Sequence, residues 1–218
     1  MPTIEQARAW YDPRDPVHGF DHILRVLAVA DKIGAEVGAD LEIVRAAALL
    51  HDASGAAPDR PSPAGEGRAS HERSSAEFAR AVLQEEGWPG ERIEAVLHCI
   101  RAHRYRGKEA PETLEARVLF DADKLDVLGA FGIARTLGYA TQAGQPAYAA
   151  PSKQFREQGA AEPGEPHSAY HEYLFKLRRV AERLHTEPAR RMAQERRRLL
   201  DAFFEQLARE AEGTEGAG

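Results

Sequence analysis

Apolar side chains return every three or four residues through most of this 218-residue chain, and that step restricts its fold more than any other feature. A step of three to four keeps side chains on one face of an α-helix, whereas a strand needs alternation by two. Ile23, Val26, Leu27, Ala30, Ile33 and Val37 form one such stripe, and strand-like alternation is largely missing. The expected fold class is all-α. A second helix is expected from the N-cap candidate Asp40 through Leu41, Val44 and Ala48 to His51, with Ser54 and Gly55 ending it. Further helices fit residues 72–86, 91–103 and 114–137. Two C-terminal helices are the clearest. One spans about 168–184; the next follows the N-cap candidate Thr186, with Pro188 in its first turn and Leu199, Leu200, Phe203, Phe204 and Leu207 on one face.

Two stretches rich in glycine, proline, alanine and small polar residues interrupt the pattern, residues 54–70 and about 141–166. Both are expected to be loops within one domain covering residues 1–212, with residues 213–218 a disordered tail. The second is longer than an ordinary connection, so it is expected to be disordered or to form a lid over the site.

The single cysteine, Cys99, excludes an internal disulfide or a thiolate metal cluster and favours a reducing, cytoplasmic setting. The first residues lack the cationic start and apolar run of a signal peptide, and no stretch reaches the roughly 20 apolar residues that a membrane span needs. Neither secretion nor a membrane partner is expected. A formal net charge of −6 argues against general attraction to nucleic acid. The basic run Arg190, Arg191, Arg196, Arg197 and Arg198 is interleaved with Glu187, Glu195, Asp201 and Glu205, as on a mixed-charge solvated face. No Rossmann or Walker-type glycine loop is present. An anionic substrate must then be captured locally, which a bound divalent cation would do.

His22 opens the first long helix in HGFDHILRV, His51 and Asp52 close the second in AALLHDAS, and Asp123 lies in LFDADKLD. Two imidazoles and two carboxylates suit a borderline divalent ion better than calcium, which prefers oxygen alone. Adjacent residues in a helix interior diverge by about 100° and share one ion poorly, but the turn relaxes at a helix end such as the one after His51. Each residue alone is unremarkable: a lone histidine on an apolar helix face is more often a satisfied core residue than a ligand. The ordered set is what carries the signal.

That order, in the local forms HILRV, LLHD and DADKLD, resembles the HD superfamily of metal-dependent phosphohydrolases, all-helical enzymes acting mainly on nucleotides. DPVHGFDHILRVLAVADKI, HERSSAEFAR, TLEARVLFDADKLDVLGAFGIARTLGYA and SAYHEYLFKLRRVAERLHT extend the resemblance to the YedJ/YpgQ-like bacterial HD hydrolases along nearly the whole chain. The resemblance implies a single-domain HD-type helical bundle with the metal motif within residues 18–126 and a C-terminal helical pair at about 168–212. It also implies hydrolysis of (deoxy)nucleoside triphosphates to monophosphate and pyrophosphate, with one divalent ion, manganese foremost and magnesium, cobalt, nickel, iron or zinc as alternatives. The enzyme would be a monomer or homodimer with a small nucleotide as its partner.

By the same resemblance the metal ligands are His22, His51, Asp52 and Asp123, with Asp121 as the competitor for the last place. Asp123 is preferred because it directly precedes a basic and an apolar residue, Lys124 and Leu125. Asp121 would hydrogen-bond a ligand from behind. His18 is assigned to local hydrogen bonding. Asp52 and His71 are the proton-transfer candidates, and His103, Lys124, Arg135 and Lys176 the candidates for binding phosphate. Tyr139 and Tyr173 are candidates to stack on a base, with core packing as the commoner role. One departure stands out. Ala53, Ser54, Gly55 and Ala56 follow the His-Asp pair where several HD enzymes carry an acidic residue, which argues against the guanosine polyphosphate hydrolase and deoxyribonucleotidase branches. Water activation would rest on the metal, Asp52 or His71. Another nucleotide phosphomonoesterase or phosphodiesterase is the alternative activity, and a catalytically idle metal- or nucleotide-sensing domain the alternative of a different class.

Overall fold

The computed structural model describes residues 1–11, 19–53, 71–104 and 109–214, apart from the side chains of residues 71–73. Every regular element among the described residues is helical, as the apolar step requires. The chain groups into two compact units, Met1–Lys124 with His185–Ala189, and Leu125–Leu184 with Arg190–Gly218.

The first unit holds α1 (Ile4–Arg8), α2 (Phe20–Val37), α3 (Leu41–Leu50), α4 (His71–Glu85), α5 (Gly90–Ala102) and all but the last residue of α6 (Leu114–Leu125). The short α1 is not foreseen from periodicity. It is closed by a capping box, in which the Gln6 N–H donates to Thr3 Oγ1 at 3.2 Å and the Thr3 N–H to Gln6 Oε1 at 2.7 Å. On α2 the apolar stripe buries Ile23, Val26, Ala30 and Ile33. Gly34 lies on that face, where a Cβ would meet Leu41 Cδ2 at 2.8 Å, so a larger residue would need the Leu41 side chain to shift. Asp40 caps α3 as expected, accepting from the Glu42 and Ile43 N–H groups at 3.0 and 3.3 Å.

From Ile43 to Leu50 nearly every residue of α3 is buried. A helix this largely buried needs neighbours on most of its surface, and α3 packs against α1, α2, α4 and α5. Its C-terminal end therefore delivers His51 into the interior. On α6, fully buried Asp121 accepts from the His185 N–H at 2.8 Å and from both the N–H and hydroxyl of Thr186 at 2.7 Å each. These bonds join His185–Ala189 to the first unit, and they engage the Thr186 hydroxyl as a donor to a carboxylate.

The second unit holds α7 (Gly129–Gln142), α8 (Lys153–Gln158), α9 (Ala169–Glu172), a π-helical turn (Tyr173–Leu177), α10 (Arg178–Val180), a 3-10 turn (Ala181–Arg183) and α11 (Glu187–Glu212) beyond its first three residues. The continuous helix expected over 114–137 is in fact two. Leu128 is extended and Gly129 adopts φ +69°, a left-handed conformation that favours glycine. Arg196 donates to the Leu125 carbonyl at 2.6 Å, satisfying the end of α6. Leu128 is buried, so the apolar rhythm continues across the break and conceals it.

The helix expected over 168–184 is likewise a composite of α, π and 3-10 turns. On α11 the buried face is Ala193, Leu200, Phe204 and Ala208, while Leu199, expected on it, is 51% exposed. Tyr173 stacks on Phe204 at 4.6 Å and donates to Asp201 at 3.0 Å. It is a core residue and not a platform for a base. Tyr139 is half-buried on α7.

The 141–166 stretch, expected to be disordered or a lid, is folded. It contains α8, capped by Ser152, and is tied by Glu165, which accepts from the Ser152 and Glu162 N–H groups at 2.7 and 2.6 Å and pairs with buried His171 at 3.0 Å. The hydrogen bond from the Ser152 backbone leads those that hold the Glu165 carboxyl down at about 2, against the opposing effect of burial. A depressed carboxyl contributes stability above its ordinary value and loses it as the pH falls toward the depressed one. Urea denaturation should show Glu165→Gln less stable than the parent at about pH 6, with the gap narrowing at about pH 3. A gap of equal size at both would contradict the role given to this carboxylate.

Candidate metal centre

Four helix ends of the first unit converge. His22 is the third residue of α2, His51 is the C-cap of α3 and is followed by Asp52, His103 is the C-cap of α5, and Asp123 lies in the last turn of α6. His22 Nε2 lies 3.5 Å from Asp123 Oδ1 and 4.0 Å from Asp52 Oδ2. His51 Nε2 is 3.6 Å from Asp52 Oδ2, and His103 Nε2 is 3.6 Å from Asp52 Oδ1. The candidate ligand atoms of His22, His51 and Asp123 all lie within 4.8 Å of one another. The His51 ring stands edge-to-face with those of both His22 and His103, at 5.6 and 5.1 Å.

Protonation states follow from backbone partners. His51 Nδ1 is 2.8 Å from the Ala48 carbonyl. A carbonyl only accepts, so Nδ1 carries the hydrogen and Nε2 presents a lone pair to the cluster. His103 repeats the device with its Nδ1 on the Ile100 carbonyl at 2.5 Å. Burial lowers the His51 imidazole to about 4, so it is neutral near neutral pH. Burial pushes the Asp52 carboxyl up, but His51, His103 and His22 overcome this and hold it well below the usual carboxylate range. Burial is likewise outweighed at Asp123, by Lys124 first and then by the histidines.

A fully buried lone pair on His51 thus faces an anionic oxygen at 3.6 Å, and His51 Nε2 makes no hydrogen bond among the described residues. Two acceptors facing each other in the interior are unfavourable unless something positive lies between them. Among the described residues only Asp123 of the cluster's two carboxylates has an ammonium on it, that of Lys124, so negative charge is left over among them. The residues present fit a divalent cation.

The structure gathers His22, His51, Asp52, Asp123, His103 and Lys124 in one place, and corrects the part expected of Asp121. Its carboxylate is engaged with His185 and Thr186 and, among the described residues, holds no ligand imidazole. His71 begins α4, but its side chain lies outside the described residues, as do His18, Ser54 and Gly55. Arg135 and Lys176 belong to the second unit, where they pair with Asp126 and Glu172. Sequence reasoning missed Tyr11, whose buried hydroxyl donates to the Leu49 carbonyl at 2.9 Å, just before the His51 turn. No local motif signals a bond that spans 38 residues.

Residues 19–128 match the HD domain model, and the chain belongs to the HD domain family. It is 32% identical over 222 residues to the uncharacterized protein YpgQ of Bacillus subtilis (strain 168), covering 98% of this chain and 96% of that one. The crystal structure of YpgQ in complex with ADP matches with a TM-score of 0.69 at 28% identity, covering 98% of this chain and all of the other. An HD-superfamily hydrolase from Bacillus thuringiensis matches with a TM-score of 0.68 at 25% identity, over 96% of this chain and 94% of that one. Ribonuclease Y of Chloroflexus aurantiacus is 36% identical over 104 residues, 48% of this chain but 17% of that protein. Family and cluster together define an HD-superfamily hydrolase of the metal-dependent phosphohydrolase class.

Asp52→Ala and Asp123→Ala should each lose most of the divalent cation that the parent retains after dialysis. Asp121→Ala should keep it while costing on the order of 2–4 kcal/mol in urea denaturation, because buried donors lose their acceptor. Equal metal loss from all three would reverse the assignment of Asp121.

Proposed function

We propose that the protein hydrolyses (deoxy)nucleoside triphosphates to the monophosphate and pyrophosphate with one divalent cation, manganese foremost. The buried His51 lone pair facing the Asp52 carboxylate carries this proposal. His22, His51, Asp52 and Asp123 would hold the cation. The chemistry such an ion supplies when bound is activation of water and polarisation of a phosphoryl oxygen.

The remaining tasks fall to the chain's own side chains. Asp52 is anionic and its side chain is 32% exposed, whereas those of His22, His51, His103 and Asp123 are at most 12% exposed. It is the member that reaches an incoming water and takes its proton as the oxygen attacks the α-phosphorus. His103 Nε2, 3.6 Å from Asp52 Oδ1, receives that proton or bonds a phosphate oxygen. The bond from the α-phosphorus to the bridging oxygen breaks, and pyrophosphate leaves with its charge spread over several oxygens. The Lys124 ammonium, held on Asp123 and above the Phe120 ring, keeps the carboxylate in place and adds positive charge beside the phosphates. For His71 a proton-donor role, and for Arg135 and Lys176 a phosphate-binding role, rest on family resemblance.

A nucleotide substrate is supported by the relative crystallised with ADP. A small substrate is supported by the net charge of −6. No helix among the described residues is long and apolar enough to cross a membrane. Buried Cys99 suits the reducing cytoplasm that we assign to the enzyme. Phosphodiester hydrolysis is the alternative, favoured by the similarity to ribonuclease Y over 104 residues.

A nucleotide panel assayed with manganese, magnesium, cobalt or nickel, its products resolved chromatographically, separates these activities. Monophosphate and pyrophosphate in equal amounts are expected. Orthophosphate alone, or cleavage of phosphodiesters with triphosphates untouched, would overturn the proposal.

A further inference from the structure

The basic run of α11 does not lie wholly on a solvated face. Arg197 joins Arg156, Arg178 and Arg179 around a pocket of about 370 Å³ in the second unit, floored by Phe155 and Phe175. No residue of the metal cluster lines it. Glu182 contributes the one carboxylate of the lining, against four guanidinium groups. Some of that positive charge is compensated nearby, since Arg197 Nε is 3.1 Å from Asp201 and Arg156 Nη2 is 4.0 Å from Glu212. Arg178 and Arg179 form no ion pair among the described residues; Arg178 lies over the Tyr173 ring at 5.7 Å. Adjacent guanidinium groups with no carboxylate partner, in a chain of net charge −6, form a local site for an anion.

The aromatic floor is built with equal care. Gly159 adopts φ +72°, and a Cβ there would lie 2.4 Å from Phe175 Cδ2 and Cε2, so only glycine lets the Phe175 ring lie against this turn. Phe155 is buried with its ring 6.3 Å from that of Phe175. Leu174 and Phe175 sit on the π-helical turn, a backbone irregularity that is concentrated at functional sites. The turn aims them into the pocket immediately before Arg178 and Arg179. A volume at the small end of ligand sites, the Phe175 ring beside a Phe155 ring tilted by 51°, and a cationic rim match a compact molecule with a planar ring and a phosphate.

We propose that the second unit carries a ligand pocket of its own for a phosphate monoester of a planar ring, of the mononucleotide kind. The proposal does not depend on which substrate the metal centre hydrolyses. AMP, adenosine, ribose 5-phosphate and inorganic phosphate are titrated calorimetrically into the full chain, into R178Q/R179Q, into F175A and into D123A. AMP should bind saturably to the parent and to D123A, and about tenfold or more weakly to R178Q/R179Q. F175A should weaken AMP but leave ribose 5-phosphate unchanged. The metal content of R178Q/R179Q and its turnover without AMP should equal the parent's. Undiminished AMP affinity in R178Q/R179Q would overturn the pocket, and loss of AMP binding in D123A would assign the ligand to the metal centre. Phosphate binding as tightly as AMP would overturn the part given to the ring.

Discussion

One hydrogen bond, from His51 Nδ1 to the Ala48 carbonyl, determines what the centre of this molecule can do. It uses the nitrogen that would otherwise be free to turn outward, fixes the tautomer and commits Nε2 to the interior as an acceptor. Burial then keeps the ring neutral. The anionic Asp52 and Asp123 lie beside this lone pair, a grouping that a protein sustains through cation binding. The architecture of the first unit serves this arrangement. A mostly buried α3, packed against four neighbouring helices, carries His51 inward, and Tyr11 fastens the carbonyl two residues earlier. His103 reproduces the same device at the end of α5, through Ile100.

Much of this was legible in the sequence, for local reasons. The α2 stripe and the Asp40 cap depend on residues within a turn or two of each other, so pattern alone locates them. The choice of Asp123 over Asp121 rests on the family resemblance of a local sequence, in which Asp123 precedes Lys124 and Leu125. Residues two apart on a helix differ by about 200°, so when one faces the cluster the other faces away. Its consequence is not local: Asp121 is taken up by His185 and Thr186, more than sixty positions along the chain. The break before Gly129 escaped because buried Leu128 keeps the apolar rhythm and the stabilising partner, Arg196, is distant in sequence. The short α1 escaped for the opposite reason, being a single turn whose signature is the Thr3 and Gln6 box and not a period.

The second unit shows the limit of compositional inference. A stretch rich in small residues read as disorder or a lid, yet one carboxylate, Glu165, gathers backbone donors and a buried histidine and orders it. Tyr173, a candidate to stack on a base, is taken up by the core through Phe204 and Asp201. In both cases the deciding partner lies outside the window in which composition is read.

Anomalous diffraction from crystals loaded with manganese tests the account at its centre. One strong peak is expected, roughly 2.0–2.3 Å from His22 Nε2, His51 Nε2 and oxygens of Asp52 and Asp123, with the His51 Nδ1 bond to Ala48 retained. A peak bound by Asp121, or a manganese-loaded crystal in which His51 Nε2 carries a proton and bonds Asp52 with no ion beside it, would contradict it.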